Sequence, residues 1–141
     1  MGRLLSRVYQ TIDVARELFI VIQLRIPQPR RVGRKKTEIP VIASMTSHPG
    51  RIQHVWLSIE TLLRQTVKPR ALILVLSLEE FPGRKIPTKL SAQVQRGLII
   101  KWVDHNHRSF DKLLPIRTLY PHSSIATFDD DKYFPKDILY R

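Results

Sequence analysis

Three consecutive carboxylates, Asp129, Asp130 and Asp131, close a short apolar run, Ser124-Ile125-Ala126-Thr127-Phe128. In an extended backbone alternate side chains share a face, so Asp129 and Asp131 are expected to point together while Asp130 points away. Two carboxylates so placed suit one hard divalent cation, Mg²⁺ or Mn²⁺, which takes oxygen ligands and commonly shares them with a diphosphate. A solvated turn also carries adjacent acids, so the triplet gains weight only from what the fold brings beside it.

The elements that must position these acids follow an alternating rhythm from Ile39 onward. Ile39 to Thr46 is a β-prone run that stops at the turn cluster Ser47-His48-Pro49-Gly50. Ile52, Val55, Trp56, Ile59, Leu62 and Leu63 fall at helical spacing, and Thr66 to Pro69 end that helix. Ala71 to Leu76 is apolar without alternation, as expected of a strand covered on both faces. A short helix is expected around Leu90 to Gln95, then Gly97 and a third strand, Leu98 to Val103, ending at Asp104. Ser109 and Asp111 suit the cap of a helix over Leu113 to Leu119, with Pro115 in its first turn. The fourth strand is Ser124 to Phe128, and Pro135 suits the first position of one more helix.

Strand, crossover and strand, with roughly twenty residues between strands, is the pattern of right-handed βαβ units in a mainly parallel sheet. Ligands of such sheets collect beyond the carboxyl ends of the strands. Thr46 to Arg51, Asp104 to Lys112 and Asp129 to Asp131 all follow strand ends, so the three clusters are expected to converge. His105 and His107 alternate in the second cluster and are read as loop residues; Trp56 and Trp102 are read as core.

Composition bounds what the cluster can do. The chain has 141 residues, 43% hydrophobic and 26% charged, which is enough apolar material for one folded domain with an appendage. It has no cysteine, which excludes disulfides and thiolate metal sites and leaves oxygen or imidazole as ligands. A net charge of +12 favours anionic partners: phosphorylated ligands, acidic membrane surfaces or nucleic acid.

Residues 1–37 differ in texture from residues 38–141. Leu4, Leu5, Val8, Ile12, Ala15, Leu18, Phe19 and Ile22 recur at steps of three and four, an amphipathic helix with Arg3, Arg7 and Arg16 on other faces. Its apolar run is too short to span a bilayer, which takes about 20 residues, and no Ala-x-Ala cleavage signal accompanies it. Pro27 to Lys36, rich in proline and cation, reads as a linker. The expected location is cytoplasmic, with peripheral contact at the inner face of the membrane through residues 1–36, against the plainer reading of a helix packed on the main domain.

The stretches Val41 to Arg51, Leu62-Leu63-Arg64-Gln65-Thr66 with Pro69, Phe81-Pro82, Val103-Asp104 and Thr127 to Asp131 together resemble bacterial family-2-like glycosyltransferases of the GT-A fold. The resemblance covers about residues 39–140. It implies an α/β, Rossmann-like fold that binds a nucleotide-diphospho-sugar through a mainly parallel sheet with flanking helices. It also implies transfer of the sugar to a glycan or lipid-linked acceptor, assisted by a divalent metal at Asp-x-Asp. By position, Thr46, Ser47, Pro49 and Arg51 would line the nucleotide pocket and Asp104 would sit near base or ribose. Asp129, Asp130 and Asp131 would serve the ribose and the metal, with Asp129 and Asp131 as the metal pair; which of them ligates directly stays open. Arg51 and Lys112 are the cations placed to offset charge on the leaving diphosphate.

An acceptor-binding half with a general base is expected after Asp-x-Asp, yet only ten residues follow Asp131. The chain therefore reads as the donor-binding front half, truncated, with little or no transfer on its own. Two other readings stand beside it. One is a non-catalytic remnant of a transferase. The other is a basic nucleic-acid module, which the spread of the cations, the missing motifs and the few aromatics disfavour.

Overall fold

The computed structural model describes residues 15–16, 18–26 and 38–140. Four strands, β1 (Glu38–Thr46), β2 (Lys68–Ser77), β3 (Leu98–Val103) and β4 (Ser124–Phe128), form one sheet in the order β3-β2-β1-β4. Every neighbouring pair is parallel. Three helices connect them: α1 (Val55–Leu63), α2 (Thr88–Val94) and α3 (Leu114–Leu119). This is a parallel α/β arrangement of the Rossmann-like kind, as the strand and helix periodicities lead one to expect.

The two central strands are buried on both faces, which is why Ala71 to Leu76 shows no alternation of polarity. Ile42, Ala71, Ile73 and Val75 face one layer and pack with Ile116 of α3, with Val103, Tyr120 and Ile125 at the margin. Pleating sends Ala43, Met45, Leu72, Leu74 and Leu76 to the opposite face. Right-handed crossovers put α1 and α2 there, and Val55, Ile59, Leu62 and Leu90 are buried accordingly. Pro40 and Pro69 cannot donate to a ladder, and the β1–β2 register shifts between Ile39 and Ile42, where those prolines fall. Gly97 turns the chain into β3 at φ 109°, a left-handed conformation that side chains resist.

Several local expectations are corrected. α1 starts at Val55 rather than near Ile52, because the amides of Arg51 and Ile52 both bond the His48 carbonyl and hold a turn. Ser109 and Asp111 do not cap α3; they lie in a 3-10 turn, Arg108–Lys112, and α3 follows Leu113 without a side-chain cap. Pro115 does fall in the first turn of α3. Among the described residues no helix follows Pro135. The Pro135 carbonyl accepts from Gln65 Nε2 at 2.6 Å, the Lys136 carbonyl accepts from the Thr66 amide at 2.8 Å, and the Leu139 amide donates to Gln65 Oε1. These groups would otherwise close the first helical turn, so residues 136–140 form successive tight turns instead.

The chain divides into two units, Met1–Arg34 and Lys35–Arg141. In the first, residues 18–25 are helical, and Leu18, Phe19 and Ile22 are exposed. The expected earlier turns of that helix, from Leu4 to Ile12, and the Pro27 to Lys36 linker lie outside the described residues. Among the described residues no helix is long and apolar enough to cross a membrane.

Candidate functional site

The chain runs from β1 outward to β2 and β3, then returns across the sheet to β4 on the other side of β1. The carboxyl ends of β1 and β4 therefore flank the point where strand order reverses, the place where an open α/β sheet leaves a crevice. A cleft of about 740 Å³ opens there. Thr46, Ser47, His48 and Arg51 line it from the end of β1, Glu80 from the end of β2, and Asn106, Arg108, Ser109 and Lys112 from the segment after β3. Phe128, Asp129, Asp130, Asp131 and Lys132 line it from β4.

The acids do not continue the strand. β4 stops at Phe128 and the three aspartates form a turn, so strand alternation does not set their directions. Asp130, expected to point away, is the inward one. Its Oδ2 accepts from the Ser47 hydroxyl at 2.7 Å, its Oδ1 lies 2.8 Å from Arg51 Nη1, and its main-chain carbonyl accepts from Ser58 of α1 at 2.9 Å. Its side chain is only 9% exposed, against 61% for Asp129 and 41% for Asp131. Asp129 instead meets Lys112 Nζ at 2.7 Å, and Asp131 lies 3.3 Å from Arg51 Nη1 and 4.0 Å from Lys132.

Charge pairing sets the protonation of the rim. The Lys112 hydrogen bond, and then its positive charge, hold the Asp129 carboxyl below the usual range, so it is ionised at neutral pH. The hydrogen bond to Asp130, reinforced by the charges of Asp130 and Asp131, raises the already high value of Arg51. The lining contains four cations, Arg51, Arg108, Lys112 and Lys132, and four acids, Glu80, Asp129, Asp130 and Asp131, so the formal charges of these eight groups balance.

Neighbouring loops are braced from behind. The Thr46 hydroxyl donates to the Val75 carbonyl at 3.0 Å and fixes the end of β1 against β2. Glu79, at the exit of β2, accepts from the Asn106 amide at 2.9 Å and lies 3.1 Å from His105 Nδ1, which ties the β2 and β3 exits together. Asp111 is buried and accepts from the His107 amide. On the other side of the acids, Ser58, Thr61 and Gln65 form a buried polar stripe along α1 and just past its end. They bond the main chain of Asp130, Phe134 and Pro135, while Phe134 stacks edgewise on Phe128 at 4.8 Å.

The convergence expected of the three strand-end clusters is present. Thr46, Ser47, Arg51, Lys112, Asp129, Asp130 and Asp131 share the cleft, whereas Pro49 and Asp104 are exposed and outside its lining. Sequence reasoning did not single out Glu80, Asn106, Arg108, Ser109 or Lys132 for the site. The strand-end rule, applied also to β2, points to Glu80; Arg108 and Ser109 sat inside a cluster already identified.

The donor chemistry of the rim fits a hard cation: two partly exposed carboxylates supply oxygen ligands. Among the described residues no group of three or more His, Asp or Glu side chains is placed to hold a metal ion. Such a rim suits an ion whose remaining positions go to ligand oxygens and water.

Fold and site together define a parallel α/β domain with an acid- and cation-lined cleft at its switch point. Comparison of the chain with protein-family models, with curated proteins and with solved structures gives no match.

Proposed function

We propose that residues 38–141 bind the diphosphate of a nucleotide sugar, in the manner of the donor half of a GT-A glycosyltransferase, and that Asp129 and Asp131 hold a divalent metal against it. The observation that carries this reading is the position of the acidic turn: it faces Ser47 and Arg51 at the switch-point cleft rather than open solvent. Net charge supports it as well. A lining whose formal charges balance accepts a divalent cation and a doubly charged diphosphate most readily as a pair, since either alone unbalances it.

In this reading Mg²⁺ or Mn²⁺, when bound, supplies Lewis-acid stabilisation of charge on the leaving diphosphate. Asp130 has a different task. Through Ser47, Arg51 and Ser58 it fixes the acidic turn to β1 and α1, so that its neighbours are presented at the rim. Thr46 and Ser47 close the cleft on the β1 side. Donor binding is the activity proposed for these 141 residues, and transfer to a glycan or lipid-linked acceptor belongs to a site that also positions the acceptor hydroxyl and a base.

The test is calorimetric titration with a panel of nucleoside diphosphates and their sugar derivatives in the presence of Mn²⁺. Saturable one-to-one binding that prefers one base supports the reading; silence across the panel, in protein shown to be folded, refutes it.

A location is proposed with it. The exposed Leu18, Phe19 and Ile22 lie on one stripe of the helix at residues 18–25, and five cations follow between Arg30 and Lys36. That combination suits an anionic membrane surface, which apolar insertion and near-surface charge would hold together.

A further inference from the structure

The cleft contains four cations, but three of them already face carboxylates. Arg51 lies on Asp130 and Asp131, Lys112 on Asp129, and Lys132 within 4.0 Å of Asp131. Arg108 is the exception among the described lining residues: it has no carboxylate partner, and its side chain is exposed to the cleft mouth. We infer that Arg108, rather than Arg51 or Lys112, is the residue that takes a phosphate oxygen of the ligand.

The segment around it is built to hold that position. Arg108 sits at φ 56°, a left-handed conformation that arginine seldom adopts. Its amide donates to Asn106 Oδ1 at 2.7 Å, and the Asn106 amide in turn donates to Glu79. On the other flank the buried Asp111 accepts from the His107 amide at 3.1 Å. A non-glycine residue kept in a disfavoured backbone well by bonds on both sides is the kind of strain that collects at binding sites. The planar guanidinium offers paired donors that match two phosphate oxygens, and an unpaired one needs no carboxylate to be displaced first. Recruiting Lys112 would strip Asp129 of its cation, and recruiting Arg51 would leave Asp130 with the Ser47 hydroxyl alone, unless a metal on the neighbouring carboxylates replaced the lost charge.

The inference rests on the proposed donor reading only for the identity of the ligand; its chemistry is that of any diphosphate. It is therefore tested with inorganic pyrophosphate alongside a nucleoside diphosphate, each with Mn²⁺, on the wild type, Arg108→Gly and Arg108→Lys. Glycine suits the left-handed backbone, so Arg108→Gly should keep or raise thermal stability while deleting the charge. The expected result is pyrophosphate affinity about ten- to a hundredfold lower in Arg108→Gly, with partial recovery in Arg108→Lys and a wild-type affinity that falls with added salt.

Unchanged pyrophosphate affinity in a folded Arg108→Gly protein would overturn the inference while leaving the donor reading intact, and so would a wild type that does not bind pyrophosphate at all. Arg108-dependent binding of pyrophosphate, with no gain in affinity from any nucleoside, would support the inference and count against a nucleotide donor.

Discussion

The Arg51 guanidinium lies 2.8 Å from the Asp130 carboxylate, although the two residues are 79 positions apart in sequence. That contact joins the turn after β1 to the turn after β4 across the switch point of the sheet. Because Arg51 is about half exposed, the ion pair alone contributes little to stability. The Ser47 hydroxyl bond to the same carboxylate, more deeply placed, carries more.

The first prediction separates structure from binding within the acidic triplet. Asp130→Ala leaves Ser47 without its acceptor and should lower unfolding free energy by about 1–3 kcal/mol in urea titration. Asp129→Asn, at a mostly exposed rim position, should stay within about 0.5 kcal/mol of the wild type. Equal destabilisation by the two substitutions would contradict the division of roles.

The second concerns the segment after the acids. Gln65 is buried and replaces the missing helical bonds of Pro135 and Leu139. Gln65→Ala should cost about 2–3 kcal/mol and selectively speed amide exchange from Phe134 to Tyr140, with the β2 amides unaffected. Uniform exchange across the domain would mean that Gln65 serves the whole core rather than this segment.

The third is a pH effect. The hydrogen bond to Glu79, and then its charge, raise His105 above its ordinary 6.5. A raised histidine contributes stability that is full below its unfolded value and fades as pH rises through its folded one. The hydrogen bond from His105, then that from the Asn106 amide, lowers Glu79, so on the acid side the contact persists above the ordinary carboxylate value and fades as pH falls through the depressed one. The tie between the β2 and β3 exits should therefore be tightest between those limits. Histidine-resolved NMR titration should give His105 a midpoint above 6.5, and Glu79→Gln should bring it back down.

The fourth concerns location. The 141-residue chain should co-sediment with vesicles containing phosphatidylglycerol and not with neutral phosphatidylcholine vesicles. Leu18→Ser combined with Phe19→Ser and Ile22→Ser should reduce that binding at least tenfold, since each buried apolar side chain contributes roughly 1.5–3 kcal/mol. Equal sedimentation of the variant would assign the attraction to charge alone.

Much of the fold was legible because β2 and α1 obey simple periodicities. The unbroken apolar run Ala71 to Leu76, short and following Pro69, reads as a strand buried on both faces, and the spacing of Val55, Ile59 and Leu62 reads as one face of a helix. The convergence of Ser47, Lys112 and Asp129 followed from topology, because all three lie in segments that leave the carboxyl ends of strands in one parallel sheet. What escaped was decided by tertiary bonds. Nothing near Pro135 in sequence reveals that Gln65, seventy residues earlier, captures its carbonyl. The end of β4 at Phe128 was legible, but strand alternation could not anticipate the turn beyond it, where Ser47 and Arg51 draw Asp130 inward. The direction of each aspartate is a property of the assembled cleft.

The central claim, that the acidic turn brings a metal to a bound diphosphate, is tested most directly by titrating a nucleoside diphosphate into wild type and into Asp129→Asn combined with Asp131→Asn, each with and without Mn²⁺. The account predicts that Mn²⁺ tightens wild-type binding at least tenfold, that the diphosphate tightens Mn²⁺ binding by the same factor, and that the double variant shows neither effect while keeping its fold. Binding that is equally strong without Mn²⁺, or unaltered in the double variant, would contradict it.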